Sequence, residues 1–174
     1  MGLLKGVTHR VLQSVADRVA RNDLFEKPGE RAWQAPLRPR KARAGTAAEV
    51  AALEGPVVVH HWATWCEPCE KELPLVEQLA QALDGKATVV GVSWDRFQDQ
   101  GDMEQTLARV EAMAASVSWD TIVLTDTPAA TFSTLKLAVE TVPQTFLLNA
   151  EGQVLEHVPG PLDAEHVTSL KSRL

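Results

Sequence analysis

The stretch VVVHHWATWCEPCEKELP, residues 57–74, decides how the chain is read. It holds the only two cysteines, Cys66 and Cys69. The run from Pro56 to Trp62 is β-branched and lacks polar alternation, which predicts a strand in a sheet covered on both faces. The residues from Cys66 to Leu83 predict a helix that stops at Gly85. Cys66 thus falls where a buried strand turns into a helix. A thiol there meets unpaired N–H groups and the positive end of the helix dipole, and both favour the thiolate, its reactive form. Cys69 lies one turn later on the same side, within bonding reach. Pro68 suits the first turn because it has no N–H to leave unpaired.

A bond between these cysteines would close too small a loop to constrain the unfolded chain much. The spacing therefore argues for chemistry rather than scaffolding, and Cys-x-x-Cys at a strand-to-helix turn points to a redox pair. A structural zinc site usually needs four ligands, and there is no second cysteine pair. His60 and His61 alternate across their strand, so at most one can join the thiols.

Working outward, the chain alternates strands and helices. A short helix or turn is expected at 46–53, a second buried strand at 87–94 and a helix at 102–117, with Met103, Leu107, Val110 and Met113 on one face. A strand is expected at 120–126 and a helix at 128–139. Two strands then meet around Glu151–Gly152, and a last helix opens at Asp163. This order predicts an α/β fold with a central mixed sheet flanked by helices. The 174 residues suit one domain and an arm, and 45% hydrophobic and 23% charged residues suit a packed core. Residues 46–174 are read as the domain and residues 1–45 as the arm.

The net charge of -6 argues against nucleic acid as a partner. It hides an asymmetry, because residues 1–45 carry ten Lys and Arg against four Asp and Glu, and the remainder seven against nineteen. Residues 3–21 read as a basic amphipathic helix, through Leu4, Val7, Val11, Val15 and Val19. It would dock on its own domain, a partner or an anionic membrane surface. Residues 26–45 read as a Pro- and Arg-rich linker with Trp33 as an anchor. Neither a secretory signal nor a membrane span is legible, so a cytoplasmic location is expected.

The string WATWCEPC, Trp62 to Cys69, resembles the active-site motif of the thioredoxin superfamily. The longer WATWCEPCEKELP is similar to its TlpA/ResA branch of thiol–disulfide oxidoreductases. Pro74 falls where the helix of that family is kinked. TVPQTFLLNAEG, from Thr141, resembles its cis-proline strand and the hairpin after it, and GVSWD, Gly91 to Asp95, its central strand. The resemblance covers about residues 46–174 and implies a thioredoxin-like fold, with no counterpart for the arm. It implies Cys66 as the exposed nucleophile and Cys69 as the buried resolving thiol. Pro143 would be cis and face the sulfurs, leaving the Val142 backbone free to pair with an extended substrate. Trp65 would flank the site. Glu72 matches an acidic residue near the cysteines of the ResA-like members; its alternative is an exposed helix carboxylate. His60 stands where thioredoxins place a buried Asp, and so becomes a candidate base or a hydrogen-bonded core histidine. His61 is expected to pack on the opposite face.

No cofactor is implied. The expected partners are protein disulfide substrates and an unidentified electron donor. Glu67, Glu70 and Glu72 oppose a thiolate, with Lys71 a partial offset, which favours a reductant. Two readings compete: a copper-binding metallochaperone using Cys66, Cys69 and His60, and a peroxidase, which would not depend on this turn. Relatives of the TlpA/ResA type mostly work outside the cytoplasm, so a membrane-associated or periplasmic place is the alternative location.

Overall fold

The computed structural model describes residues 41–98 and 102–174. They belong to a compact unit that runs from Arg40 to Leu174. The amphipathic helix expected at 3–21, Trp33 and most of the linker lie outside the described residues.

The described residues begin with β1, Ala42–Gly45, and α1, Ala47–Ala51, and continue into β2, Val57–Trp62, and α2, Glu67–Ala82. Next come β3, Thr88–Ser93, a short α3, Asp95–Gln98, and α4, Met103–Met113, which runs into a 3-10 turn at Ala114–Ser116. β4 is Asp120–Leu124, α5 is Pro128–Leu135, β5 is Gln144–Leu148, β6 is Val154–Val158 and α6 is Ala164–Ser172. The strands form one sheet in the order β1-β4-β3-β2-β5-β6. β1, β4, β3 and β2 are mutually parallel, while β5 and β6 run antiparallel to their neighbours. This is a mixed sheet of thioredoxin-like type.

All six residues of β2 are buried. Val57 and Val59 join Val90, Val92, Ile122 and Phe146 under α1 and α5. Val58 and Trp62 join Val76, Leu79, Val110 and Leu170 under α2, α4 and α6. Side chains alternate along a strand, so a one-residue slip would exchange these two sets and lose both cores. The helices start where side chains satisfy their free N–H groups. Thr46 and Asp163 form capping boxes with Glu49 and His166, and Asp102 and Thr127 cap α4 and α5.

Three expected boundaries move. The linker expected to reach residue 45 ends before β1, which pairs along β4 from Ala42↔Thr121 to Gly45↔Leu124. Its residues, ARAG, carry no β-branched signal, and neighbouring β4 supplies the pairing that makes them a strand. The helix expected to reach residue 117 stops at Met113, and its last turn tightens into the 3-10 form. The helix expected to reach Val139 stops at Leu135, with Lys136 in the left-handed conformation. Leu137 and Val139 alternate rather than keep a helical period, and both enter the core under α1 and α5. Among the described residues no helix is long and apolar enough to cross a membrane.

Gly91 sits beside His60 and Thr121 in register, in the centre of the sheet. A Cβ there would lie 2.5 Å from the Trp119 ring, 2.6 Å from Thr121 Oγ1 and 2.8 Å from Trp62 Nε1. Overpacking of this kind costs about 1–3 kcal/mol, so Gly91→Ala should lower stability by at least that much in urea titration. An unchanged midpoint would show that Trp62 and Trp119 give way freely.

Candidate active site

β2 delivers the chain to the turn Ala63–Trp65, where the Cys66 N–H bonds to the Ala63 carbonyl at 3.2 Å. Cys66 takes an extended conformation and caps α2, and its Sγ accepts the Cys69 N–H at 3.3 Å. The two sulfurs are joined as a disulfide, with the Cα atoms 5.2 Å apart. Cys69 is fully buried and Cys66 is 5% exposed, so the residue expected to be open shows only a sliver of surface. The cover includes Val142, whose carbonyl oxygen lies 3.7 Å from Cys66 Sγ. The Val142–Pro143 peptide is cis. Pro143 is buried, and the Val142 backbone makes no hydrogen bond to other backbone among the described residues. Trp65 is 46% exposed beside this opening. Pro74 lies inside α2, one turn beyond the redox segment.

The side of α2 that carries Cys69 also carries Glu72 three residues on, and residues at this spacing are neighbours on a helix. Glu72 is buried, not an exposed helix carboxylate. Its Oε2 accepts the Leu162 N–H at 2.6 Å, and its Oε1 faces His60 Nε2 at 3.6 Å. His60 is also fully buried, with Nδ1 3.0 Å from Thr145 Oγ1 and its ring edge-on to Trp119. Burial pushes the Glu72 carboxyl up to about 7, against the pull of the Leu162 N–H. It pushes His60 down to about 3, so the imidazole is neutral at ordinary pH. A neutral ring carries one N–H and one lone pair, and its Nε2 faces Glu72 Oε1 beyond hydrogen-bond distance.

His61 points to the opposite face, as alternation requires. Its Nδ1 accepts the Trp94 indole N–H at 2.9 Å, and its ring meets Phe146 edge-on. His157 stacks on Phe146 and meets Gln144 at 2.9 Å, while His166 serves the capping box of α6. These contacts hold the fold together away from the sulfurs. On the surface of α2, Glu67 is paired with Lys71 at 2.6 Å, so the cation spends its charge there.

Nothing favours the copper-binding reading: among the described residues no group of three His, Cys, Asp or Glu is arranged to hold a metal ion. Two contributors escaped the sequence reading. The Leu162 N–H approaches Glu72 from ninety residues away, which no local pattern could disclose. Asp95 is buried and accepts from Thr64, just ahead of Cys66. Ser93 and Asp95, two polar residues where β3 gives way to α3, were its signal in the sequence.

The family model described as AhpC/TSA matches residues 29–157. The chain belongs to the AhpC/TSA family. Proteins similar to it include the thiol:disulfide interchange protein HelX of Rhodobacter capsulatus, 31% identical over 111 residues, 64% of this chain and 56% of that protein. Thioredoxin 1 of Nostoc is 45% identical over 47 residues, 27% of this chain and 44% of the relative. The matches span about half the length of these curated relatives. Among solved structures, StoA from Bacillus subtilis superposes with a TM-score of 0.52 at 26% identity, over 71% of this chain and 85% of that one. A DsbF homologue from Corynebacterium diphtheriae shares the fold, with a TM-score of 0.57 at 22% identity over 72% of this chain and 76% of that one. The AhpC/TSA chain thus has the fold and the Cys-x-x-Cys pair of thiol–disulfide oxidoreductases.

The buried groups set opposing pH dependences. His60 and His61 are each held down to about 3 by burial, from an ordinary 6.5. The unfolded chain binds protons there that the folded chain refuses, so their stability is full above 6.5 and is lost as pH falls toward 3. Glu72 is raised from 4.5 to about 7, so the folded chain keeps a proton that the unfolded chain releases, and stability falls as pH rises between those values. Two histidines outweigh one carboxyl below 6.5, which predicts a stability that rises with pH from about 5 and levels off near 7. Glu72→Gln should steepen the rise between pH 5 and 7 and gain up to about 3 kcal/mol at pH 8, measured by denaturation across pH. A wild-type curve flat from pH 5 to 8 would contradict this assignment.

Proposed function

We propose that this chain reduces protein disulfides through its Cys66–Cys69 pair. The observation that carries the reading is the buried Glu72 carboxyl, raised to about 7, one helical turn beyond the fully buried Cys69. A group with that value can take and return a proton at neutral pH.

The reaction begins when the Cys66 thiolate attacks one sulfur of the substrate disulfide. A new S–S bond forms, and the other substrate sulfur leaves as thiolate. Glu72 takes the proton of Cys69. The Cys69 thiolate then attacks Cys66 Sγ, releasing the second substrate thiolate and closing the Cys66–Cys69 disulfide. The substrate gains two electrons and the pair loses two, which an external dithiol donor must restore. Val142 supports the reading as the backbone on which an extended substrate pairs, with Pro143 setting its approach to Cys66 and Trp65 flanking the opening. His60, facing Glu72, takes part in the same proton transfer.

The reducing direction rests on charge. An ionised Glu72 opposes a thiolate on Cys69, and Lys71 is engaged by Glu67. A less stabilised reduced form donates electrons more readily. Redox titration in dithiothreitol and glutathione buffers should give a two-electron potential nearer about −270 than about −120 mV. A value on the oxidising side of that midpoint would reverse the direction.

A trapping experiment checks the roles. Cys69→Ser should accumulate a mixed disulfide through Cys66, visible by mass, and Cys66→Ser should accumulate none. In Glu72→Gln the first attack should proceed normally. Resolution at pH 7 should slow by about 10²-fold or more, the lower range for a positioned acid or base. Equal rates in Glu72→Gln and the wild type would remove Glu72 from the mechanism.

A further inference from the structure

The junction between β3 and α3 grips the turn that carries Cys66, and it does so from outside the redox motif. Asp95 is 1% exposed. Its carboxylate accepts the Thr64 N–H at 3.1 Å, the Thr64 hydroxyl, and the Ser93 hydroxyl at 2.7 Å. Beside it, the Trp94 N–H bonds to the Trp62 carbonyl at 2.9 Å, and the Trp94 indole to His61. Ser93, Trp94 and Asp95 thereby hold both ends of the segment Trp62–Thr64.

A buried carboxylate is expensive, and an apolar residue of similar size often serves packing as well or better. What a carboxylate adds is direction. Hydrogen bonds to an ionised acceptor are roughly twice as strong as neutral ones, and here two of the three come from one residue, Thr64. That residue lies between Ala63, whose carbonyl takes the Cys66 N–H, and Cys66 itself. Fixing Thr64 fixes the extended conformation of Cys66, from which Sγ reaches the Cys69 N–H.

We propose that Asp95 is a positioning residue of the redox site: through Thr64, its carboxylate holds Cys66 at the N-cap of α2, where the helix N–H groups stabilise the attacking thiolate. This rests on the reading of Cys66 as the nucleophile. It adds that the nucleophile's reactivity is set by a side chain at the start of α3. The clamp acts on the reduced protein, in which the Cys69 N–H that now meets a disulfide sulfur would meet a thiolate.

The test uses the full chain, reduced with dithiothreitol, and tracks iodoacetamide alkylation of Cys66 against pH, read by peptide mass. Asp95→Ala removes the clamp together with its charge, and Thr64→Ala removes one donor and leaves the charge. Positioning predicts that both raise the pH at which Cys66 reacts. At pH 7, alkylation should slow about tenfold in Asp95→Ala and about threefold in Thr64→Ala, since loss of one stabilising hydrogen bond to a thiolate is worth about a unit of pKa. Val123→Ala, a core truncation in β4, serves as the control for lost stability and should leave the profile unchanged. Thr64→Ala, the milder change, keeps the test open where Asp95→Ala fails to fold. A downward move in Asp95→Ala would assign Asp95 a purely electrostatic effect and overturn the proposal. Profiles no different from the Val123→Ala control would make Asp95 a structural filler and overturn it too. A wild-type protein in which Cys66 reacts no faster than Cys69 would overturn the exchange reading itself, and the clamp with it.

Discussion

β2 is buried along its whole length, and a strand with two covered faces needs helices on both sides and strands on both edges. That requirement orders the sheet. β3 arrives in parallel through the α2 crossover, and β5 closes the other edge antiparallel. Because successive side chains alternate, the same strand assigns His60 and Trp62 to one core and Val59 and His61 to the other. It also ends where α2 must begin, so the first N–H groups of that helix open beside Cys66. Burial of the strand ahead of it fixes the position of the thiol.

Having placed α2 over the His60 face, the fold encloses polar groups that an apolar core would avoid. Among the described residues, His60 Nε2, Glu72 Oε1, Trp62 Nε1, Trp119 Nε1 and Thr121 Oγ1 are buried without hydrogen-bond partners. Desolvating such groups costs about 1–3 kcal/mol each, so they are poor candidates for mere filling. Two of them, on His60 and Glu72, face each other beneath the segment that carries Cys69. Stability given up at this point is exchanged for a carboxyl that titrates near neutrality.

The opening to the sulfurs is assembled from distant parts of the chain. Val142 lies 76 residues from Cys66 and reaches it because β5 pairs beside β2. Leu162 comes from the loop ahead of α6, and Asp95 from the start of α3. Each brings a backbone or carboxylate group to α2 or to the turn that leads into it. Such convergence at the strand ends is where an α/β sheet offers room for chemistry. The likeness to StoA and to HelX fits this shared framework.

The sequence by itself determined the local features. The β-branched run, the Cys-x-x-Cys at a strand-to-helix turn, the alternation that separates His60 from His61, and the Asp163 cap are all legible because each depends on residues within a few positions of one another. Val142, Pro143 and Glu72 were legible only through resemblance, since nothing near them in sequence announces the sulfurs. The tertiary structure alone decided the rest. It made ARAG a strand by pairing it with β4, ended α5 at Lys136 so that Leu137 and Val139 could enter the core, and buried Glu72 against His60 and the Leu162 N–H. It also brought Asp95 onto Thr64. These are contacts between residues far apart in the chain, and their energies exist only after the sheet has closed the distance.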